Sequence, residues 1–259
     1  MKDKVAVIGG TGLEKMFDIS SKKVEIITPY GSSQPIYFTQ VKGFPIVFMP
    51  RHGVGHEIPP HMVNYRANVW ALRKIGVERI LATNAVGAIN PAYLPGDLVV
   101  PHDIIDLTRR RSASFYEEPP VYHVDFSQPY CPELRESLIR AGGSIGRRIW
   151  GGGVYACTEG PRFETPAEIK AIARLGGDIV GMTGVPEAFL AREMELCYAS
   201  ICYVSNMAAG LQERLTAEEV VRIGEEVASD IYLLIEEALR RIPDERGCPC
   251  KSALRNSRI

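Results

Sequence analysis

Apolar residues recur along this chain in two periods, one suited to strands and one to helices, and their alternation predicts the architecture. Val5–Ile8 is a short β-branched run that ends in Gly9-Gly10-Thr11-Gly12, the pattern of a strand entering a tight turn. Pro45–Met49 repeats that pattern and ends at Arg51-His52-Gly53. Met62, Tyr65, Val69, Leu72 and Ile75 share one helical face. Arg79–Thr83 predicts a strand, with Asn84-Ala85-Val86-Gly87 leaving its end, and Leu98–Pro101 predicts another. Val154–Cys157, Asp178–Met182 and Ala199–Val204 predict three more, the last ending at Ser205-Asn206. Thr165-Pro166-Ala167-Glu168 and Thr216-Ala217-Glu218-Glu219 have the form of capping boxes that open helices, and Pro186 starts a helix between them. The second box leads into Val220, Ile223, Val227, Ile231 and Leu234 on one face. Residues 107–130 hold Pro119-Pro120 and Arg109–Arg111 and predict a long irregular excursion whose basic run is a solvated loop. Strands alternating with helices imply an α/β fold with a largely parallel sheet covered on both faces.

Composition narrows the function classes. The 259 residues carry 30 Lys+Arg against 31 Asp+Glu, so no global charge footprint points to nucleic acid or to an anionic membrane. No run approaches the roughly 18 apolar residues of a membrane span. Met1-Lys2-Asp3-Lys4 runs into the first strand without the apolar core of a signal peptide, so a soluble, cytoplasmic protein is expected. Cys131, Cys157, Cys197 and Cys202 lie among apolar or strand-like residues, where reduced, buried thiols are expected. Cys248-Pro249-Cys250 stands apart in a polar segment after the last helix. It is too short for a usual zinc half-site and has no second cluster beside it in sequence, which leaves two free thiols or a local disulfide, and no metal.

In open α/β sheets ligands lie beyond the carboxyl ends of strands. That rule selects Thr11, Arg51, His52, Asn84, Ala85, Phe163, Glu164, Met182, Thr183 and Asn206. Thr11 among its glycines, Arg51, His52, Thr183 and the backbone amides around Ala85 are donors suited to phosphate. Phe163, Glu164 and Asn206 offer a flat apolar face, a carboxylate acceptor and an amide that both donates and accepts, which suits a planar heterocycle. Gly10-Thr11-Gly12 does not complete a dinucleotide fingerprint, because Lys15 stands where the third glycine belongs. Phosphate plus heterocycle, without a nucleophile triad, points to a phosphate-dependent reaction of a nucleoside.

The same segments resemble a known family. Val7-Ile8-Gly9-Gly10-Thr11-Gly12-Leu13, Arg51-His52-Gly53, Val63-Asn64-Tyr65-Arg66-Ala67-Asn68, Gly160-Pro161-Arg162-Phe163-Glu164-Thr165 and Met182-Thr183-Gly184-Val185-Pro186-Glu187 are similar to motifs of the trimeric purine nucleoside phosphorylase and methylthioadenosine phosphorylase family. The resemblance runs from about residue 4 to residue 240, within a single expected domain, residues 1–241, that leaves 242–259 as a polar tail. It implies a twisted, mixed central β-sheet flanked by helices, a homotrimer or dimer of trimers, and phosphorolysis with inorganic phosphate as co-substrate and no cofactor. By resemblance, Thr11, Arg51, His52, Ala85 and Thr183 would hold phosphate with Asn84 beside them. Met182 would lie under the ribose, Phe163 would contact the base, and Glu164 and Asn206 would read its edge. His123 would reach the sugar pocket of a neighbouring subunit.

Glu164 with Asn206 resembles the pairing for 6-oxopurines, whereas adenine-cleaving members carry aspartates where this chain has Asn206 and Ala208. The chemistry agrees, since a 6-oxopurine presents an N1–H donor to a carboxylate and adenine presents an acceptor. Ala217 or Val220 falls where 6-oxopurine members place a histidine at the 5′-hydroxyl, so the 5′ pocket is expected to be apolar. Methylthioinosine, inosine and guanosine are therefore the expected substrates, with methylthioadenosine as the alternative. Some heat-adapted relatives use disulfides, which raises a Cys131–Cys202 pair.

Overall fold

Thirteen short and long β segments and five α-helices account for the regular structure of a computed structural model that describes residues 4–10, 14–17, 19, 23–146 and 148–259. The strands are β1 (Val5–Gly9), β2 (Lys23–Val24), β3 (Ile27–Thr28), β4 (Gly31–Ser32), β5 (Ile36–Val41), β6 (Phe44–Pro50) and β7 (Arg79–Ala88). They continue as β8 (Leu98–Val99), β9 (Asp103–Asp106), β10 (Ile149–Trp150), β11 (Val154–Cys157), β12 (Ile179–Gly181) and β13 (Cys197–Met207). The helices are α1 (Tyr65–Lys74), α2 (Pro132–Ser144), α3 (Pro166–Arg174), α4 (Gly184–Glu193) and α5 (Ala217–Arg241).

One mixed sheet runs β10-β8-β13-β7-β1-β6-β5-β2, and a second arm, β12-β11-β9, joins it at β7. β13, β7, β1 and β6 are mutually parallel, while β12 meets β7 antiparallel. Both faces are covered, as near-continuous apolar strands require. On one face α2 and α5 pack over Val5, Val7, Leu81, Ala199 and Ile201. On the other, α1 and α4 cover Ala6, Ile8, Ile80 and Ala82. α5 presents Ile223, Val227, Ile231, Leu234 and Leu239, all buried, each stabilising the fold by about 1.5–3 kcal/mol relative to exposure.

Several boundaries depart from the sequence pattern. β7 and β13 do not stop at Thr83 and Val204 but run on to Ala88 and Met207, because each supplies the other's ladder throughout. Asn84, Ala85 and Asn206 thus lie inside strands, with an irregularity in register between Val204 and Asn206. Thr165 and Glu168 form the full reciprocal capping box. At Thr216 only half forms, since the Glu219 carboxylate is taken by Gln212 Nε2 at 2.8 Å. Residues 107–130 carry no helix or strand, but Arg111 is not solvated, its side chain being only 2 % exposed. The tail folds back: after α5 a 3₁₀ turn, Pro249–Ser252, buries Cys248 and Cys250, and the chain end hydrogen-bonds the excursion through His123 N–H to Ser257 O (2.8 Å) and Ile259 N–H to Val121 O (3.1 Å).

Candidate active site

β1 ends early, and that creates the site. It pairs with β7 only as far as Ala82, and β12 joins β7 only at Gly87 and Ala88. Between them one edge of β7, from Thr83 to Val86, has no strand beside it among the described residues. A cavity of about 490 Å³ opens there, lined at one end by Gly10, Arg51, His52, Ala85 and Thr183. Its other end is lined by Phe163, Glu164, Met182, Asn206 and Ala208, and its mouth by Leu215, Ala217, Val220 and Val221.

The first end is built around one buried, ion-paired arginine. Arg51 is fully buried at the exit of β6 and is held by a bidentate pair with Glu187 on α4 (Nη2 to Oε2 2.8 Å) and by donation to Thr83 O (2.9 Å). Burial alone would push the guanidinium down, and the Glu187 carboxylate outweighs it, so Arg51 stays charged. Tyr198 donates to the same carboxylate at 2.9 Å. Gly10 has no room for a side chain, because a Cβ there would stand 2.8 Å from Thr83 O. Alternate residues of a strand turn their amides to the same edge, so Ala85 N–H faces the open side as Thr83 C=O does. Thr183 Oγ1 accepts from Asn84 Nδ2 (2.7 Å), and Asn84 Oδ1 accepts from Ser200 (2.6 Å). Thr183 is thereby left with its own hydroxyl proton to donate. Its N–H and that of Gly184 point at Tyr155 Oη (3.3 and 3.2 Å), so the amides opening α4 are already engaged.

His52 differs from a simple anion donor. Its Nδ1–H donates to Ile58 O at 2.7 Å, and burial followed by the Arg51 charge lowers its pKa to about 3. The ring is therefore neutral at pH 7, with Nε2 an acceptor. A neutral ring in this state can accept a hydrogen bond at Nε2 from a protonated group.

At the other end the polar groups are oriented by neighbours. Thr158 Oγ1 donates to Glu164 Oε1 (2.5 Å). Ser205 Oγ donates to Asn206 Oδ1 (2.6 Å), and Asn206 Nδ2 donates one hydrogen to Met207 O (2.9 Å). The carboxamide is locked with its oxygen occupied and its second N–H available to the cavity. Gly87 makes room for it, since a Cβ there would lie 3.1 Å from Asn206 Nδ2.

Most of the residues selected from sequence meet in this cavity: Arg51, His52, Ala85, Phe163, Glu164, Met182, Thr183, Asn206, Ala208, Ala217 and Val220. Asn84 stands behind Thr183 rather than in the lining. His123 sits on the excursion, away from the cavity of its own chain. Thr11 lies outside the described residues.

Two residues escaped the sequence reading of roles. Glu187 anchors Arg51, and its only signal was a carboxylate inside an apolar helix start. Arg111 donates to Met182 O, Val185 O and Glu159 O at 2.6, 2.7 and 2.7 Å and to the Glu159 carboxylate, so it braces the exits of β11 and β12 around the cavity.

Residues 4–240 match the phosphorylase superfamily. Over 258 residues the chain is 50% identical to a probable S-methyl-5′-thioinosine phosphorylase of Methanopyrus kandleri, covering 99% of both chains. It is 49% identical to the 6-oxopurine nucleoside phosphorylase of Pyrococcus furiosus, covering 98% of each. Among solved structures it is similar to methylthioadenosine phosphorylase from Schistosoma mansoni in complex with adenine, with TM-score 0.91, 32% identity and 99% of both chains covered.

Proposed function

Because the chain belongs to the phosphorylase superfamily, we propose that it cleaves 6-oxopurine nucleosides with inorganic phosphate, releasing the base and ribose 1-phosphate or its methylthio analogue. The observation that carries this reading is the locked Asn206 carboxamide facing the same cavity as the Glu164 carboxylate. Glu164 accepts from the N1–H of a 6-oxopurine, and Asn206 donates to O6 or N7. Adenine reverses that pattern at position 1 and would leave buried groups unpaired, which is where recognition sites discriminate most. The apolar mouth at Leu215, Ala217, Val220 and Val221 favours a 5′-methylthio group over a hydroxyl.

In the proposed mechanism the N9–C1′ bond lengthens first, and the ribosyl ring gains oxocarbenium character above Met182. A phosphate oxygen then bonds to C1′ from the opposite face. Arg51, the Ala85 amide and the Thr183 hydroxyl orient the anion, and their contribution is positioning and electrostatics rather than covalent chemistry. Asn206 donates its remaining Nδ2 hydrogen to O6 or N7 as negative charge builds on the leaving purine, which solvent protonates on release. Thr11 completes the phosphate set by resemblance. The reaction needs no cofactor. The proposed assembly is a cytoplasmic homotrimer or dimer of trimers, supported by the place of His123, which stands clear of its own chain's cavity. Base release from methylthioinosine, inosine, guanosine and methylthioadenosine, each with and without phosphate, tests the reading. Phosphate-dependent cleavage confined to the first three is the expected result, and cleavage of methylthioadenosine at greater efficiency would replace it with the adenine-releasing alternative.

A further inference from the structure

The sulfurs of Cys131, Cys197, Cys248 and Cys250 all lie within 4.8 Å of one another, and all four residues are buried. Nothing in the reaction uses them: they sit at the start of β13 and the entry of α2, the end of the sheet opposite the cavity. The sequence offered only the C-x-C pair, and the fold supplies the second pair. Cys131 N–H donates to Tyr198 O (2.8 Å), which sets Cys131 beside Cys197. The 3₁₀ turn Pro249–Ser252 brings in the tail pair, Cys248 Sγ standing 3.3 Å from Cys197 Sγ. Cys202 is elsewhere, its sulfur 3.3 Å from Ser200 Oγ, so a Cys131–Cys202 pair does not occur.

We propose that these four cysteines bind one zinc ion in tetrahedral S₄ coordination, as a structural clamp for the C-terminal tail. Zn–S bonds of about 2.3 Å place tetrahedral sulfurs about 3.8 Å apart, within the spacing found here. Four soft donors without histidine or carboxylate select zinc over harder ions. Closed coordination leaves no position for substrate, which fits a structural rather than a catalytic ion. Arg79, the ladder partner of Cys197, donates to Pro243 O at 2.7 Å and so ties the chain after α5 to the start of β13. The clamp reaches the active-site excursion through the tail, whose end holds the backbone of Val121 and His123.

The test uses full-length, untagged protein purified in a phosphine reductant without chelator. Elemental analysis should find about one zinc per chain, released stoichiometrically by a mercurial thiol reagent. Protein produced in cobalt-supplemented medium should show the thiolate charge-transfer and intense visible bands of tetrahedral S₄ cobalt. Cys250→Ser should lose at least about nine-tenths of the bound zinc, whereas Cys157→Ser should keep it. Should Cys250→Ser not fold, the native protein's zinc content and cobalt spectrum decide. Removing zinc should also speed hydrogen exchange at His123 and Ile259. Metal-free native protein overturns the proposal, whether its cysteines are alkylatable thiols or are joined in disulfides within this tetrad.

Discussion

Replacing Asn206 by aspartate exchanges one atom, and the surroundings of that atom give the size of the effect. In the native protein Asn206 Oδ1 is occupied by Ser205, and Nδ2 gives one hydrogen to Met207 O at 2.9 Å; in the proposed reading its second hydrogen goes to the base. In Asn206→Asp an oxygen replaces Nδ2. It opposes Met207 O whatever substrate is bound, so that penalty lowers stability but cancels from any ratio of substrates. The contact with the base does not cancel. Losing a buried donor opposite O6 or N7 costs about 1–3 kcal/mol, roughly a 5- to 150-fold fall in kcat/KM for inosine or methylthioinosine. The new acceptor suits the 6-amino group of adenine by a similar amount. The ratio of methylthioadenosine to methylthioinosine kcat/KM should therefore rise by about 30-fold or more, taking the lower end of both effects. Steady-state base release for both nucleosides, with Tm measured alongside, reads the change. A ratio within about threefold of the native value would refute this account of base reading.

Other perturbations separate the Arg51 end of the cavity from its supports. Glu187→Gln leaves Arg51 buried without its partner, and should cost about 3–5 kcal/mol in urea unfolding together with a raised KM for phosphate. Arg111→Met strands the carbonyls of Met182, Val185 and Glu159 and should lower stability by several kcal/mol, at about 1–3 per buried group. Arg110→Met, on the exposed part of the same run, should stay within about 0.5 kcal/mol. His52 has a folded pKa lowered from 6.5 to about 3, so the unfolded chain protonates first as pH falls. Its contribution is complete above pH 6.5 and is lost toward pH 3, with a slope of up to about 1.4 kcal/mol per pH unit that His52→Asn should remove. Urea midpoints across that range, without phosphate, check the sign.

How far the sequence alone carried the structure depended on the range of the forces involved. The capping box at Thr165 is local, and it forms as its spacing requires. The rule that ligands gather at strand ends selected residues that mostly line one cavity, even where the ends themselves were misplaced. Asn84 and Asn206 have side chains that favour turns, yet both lie within strands, because the β7–β13 ladder holds them against that tendency. Their partners, Ser200 for Asn84 and Ser205 for Asn206, become legible only once the ladder is known. Arg111 sits in a run that reads as solvated, and the carbonyls that bury it arrive from segments about fifty to seventy residues away. The cysteine tetrad was hidden for the same reason. Its members lie on three elements, and only the fold of the tail brings them together.

The central claim is that Glu164 and Asn206 select a 6-oxopurine, and competition measures it most directly. Methylthioinosine and methylthioadenosine share the sugar and its 5′ group, so equal concentrations in one vessel with phosphate isolate the base. The account predicts hypoxanthine release ahead of adenine by about 100-fold or more, the scale set by a mismatched donor–acceptor pair in a buried site. Equal release, or adenine ahead, would contradict it.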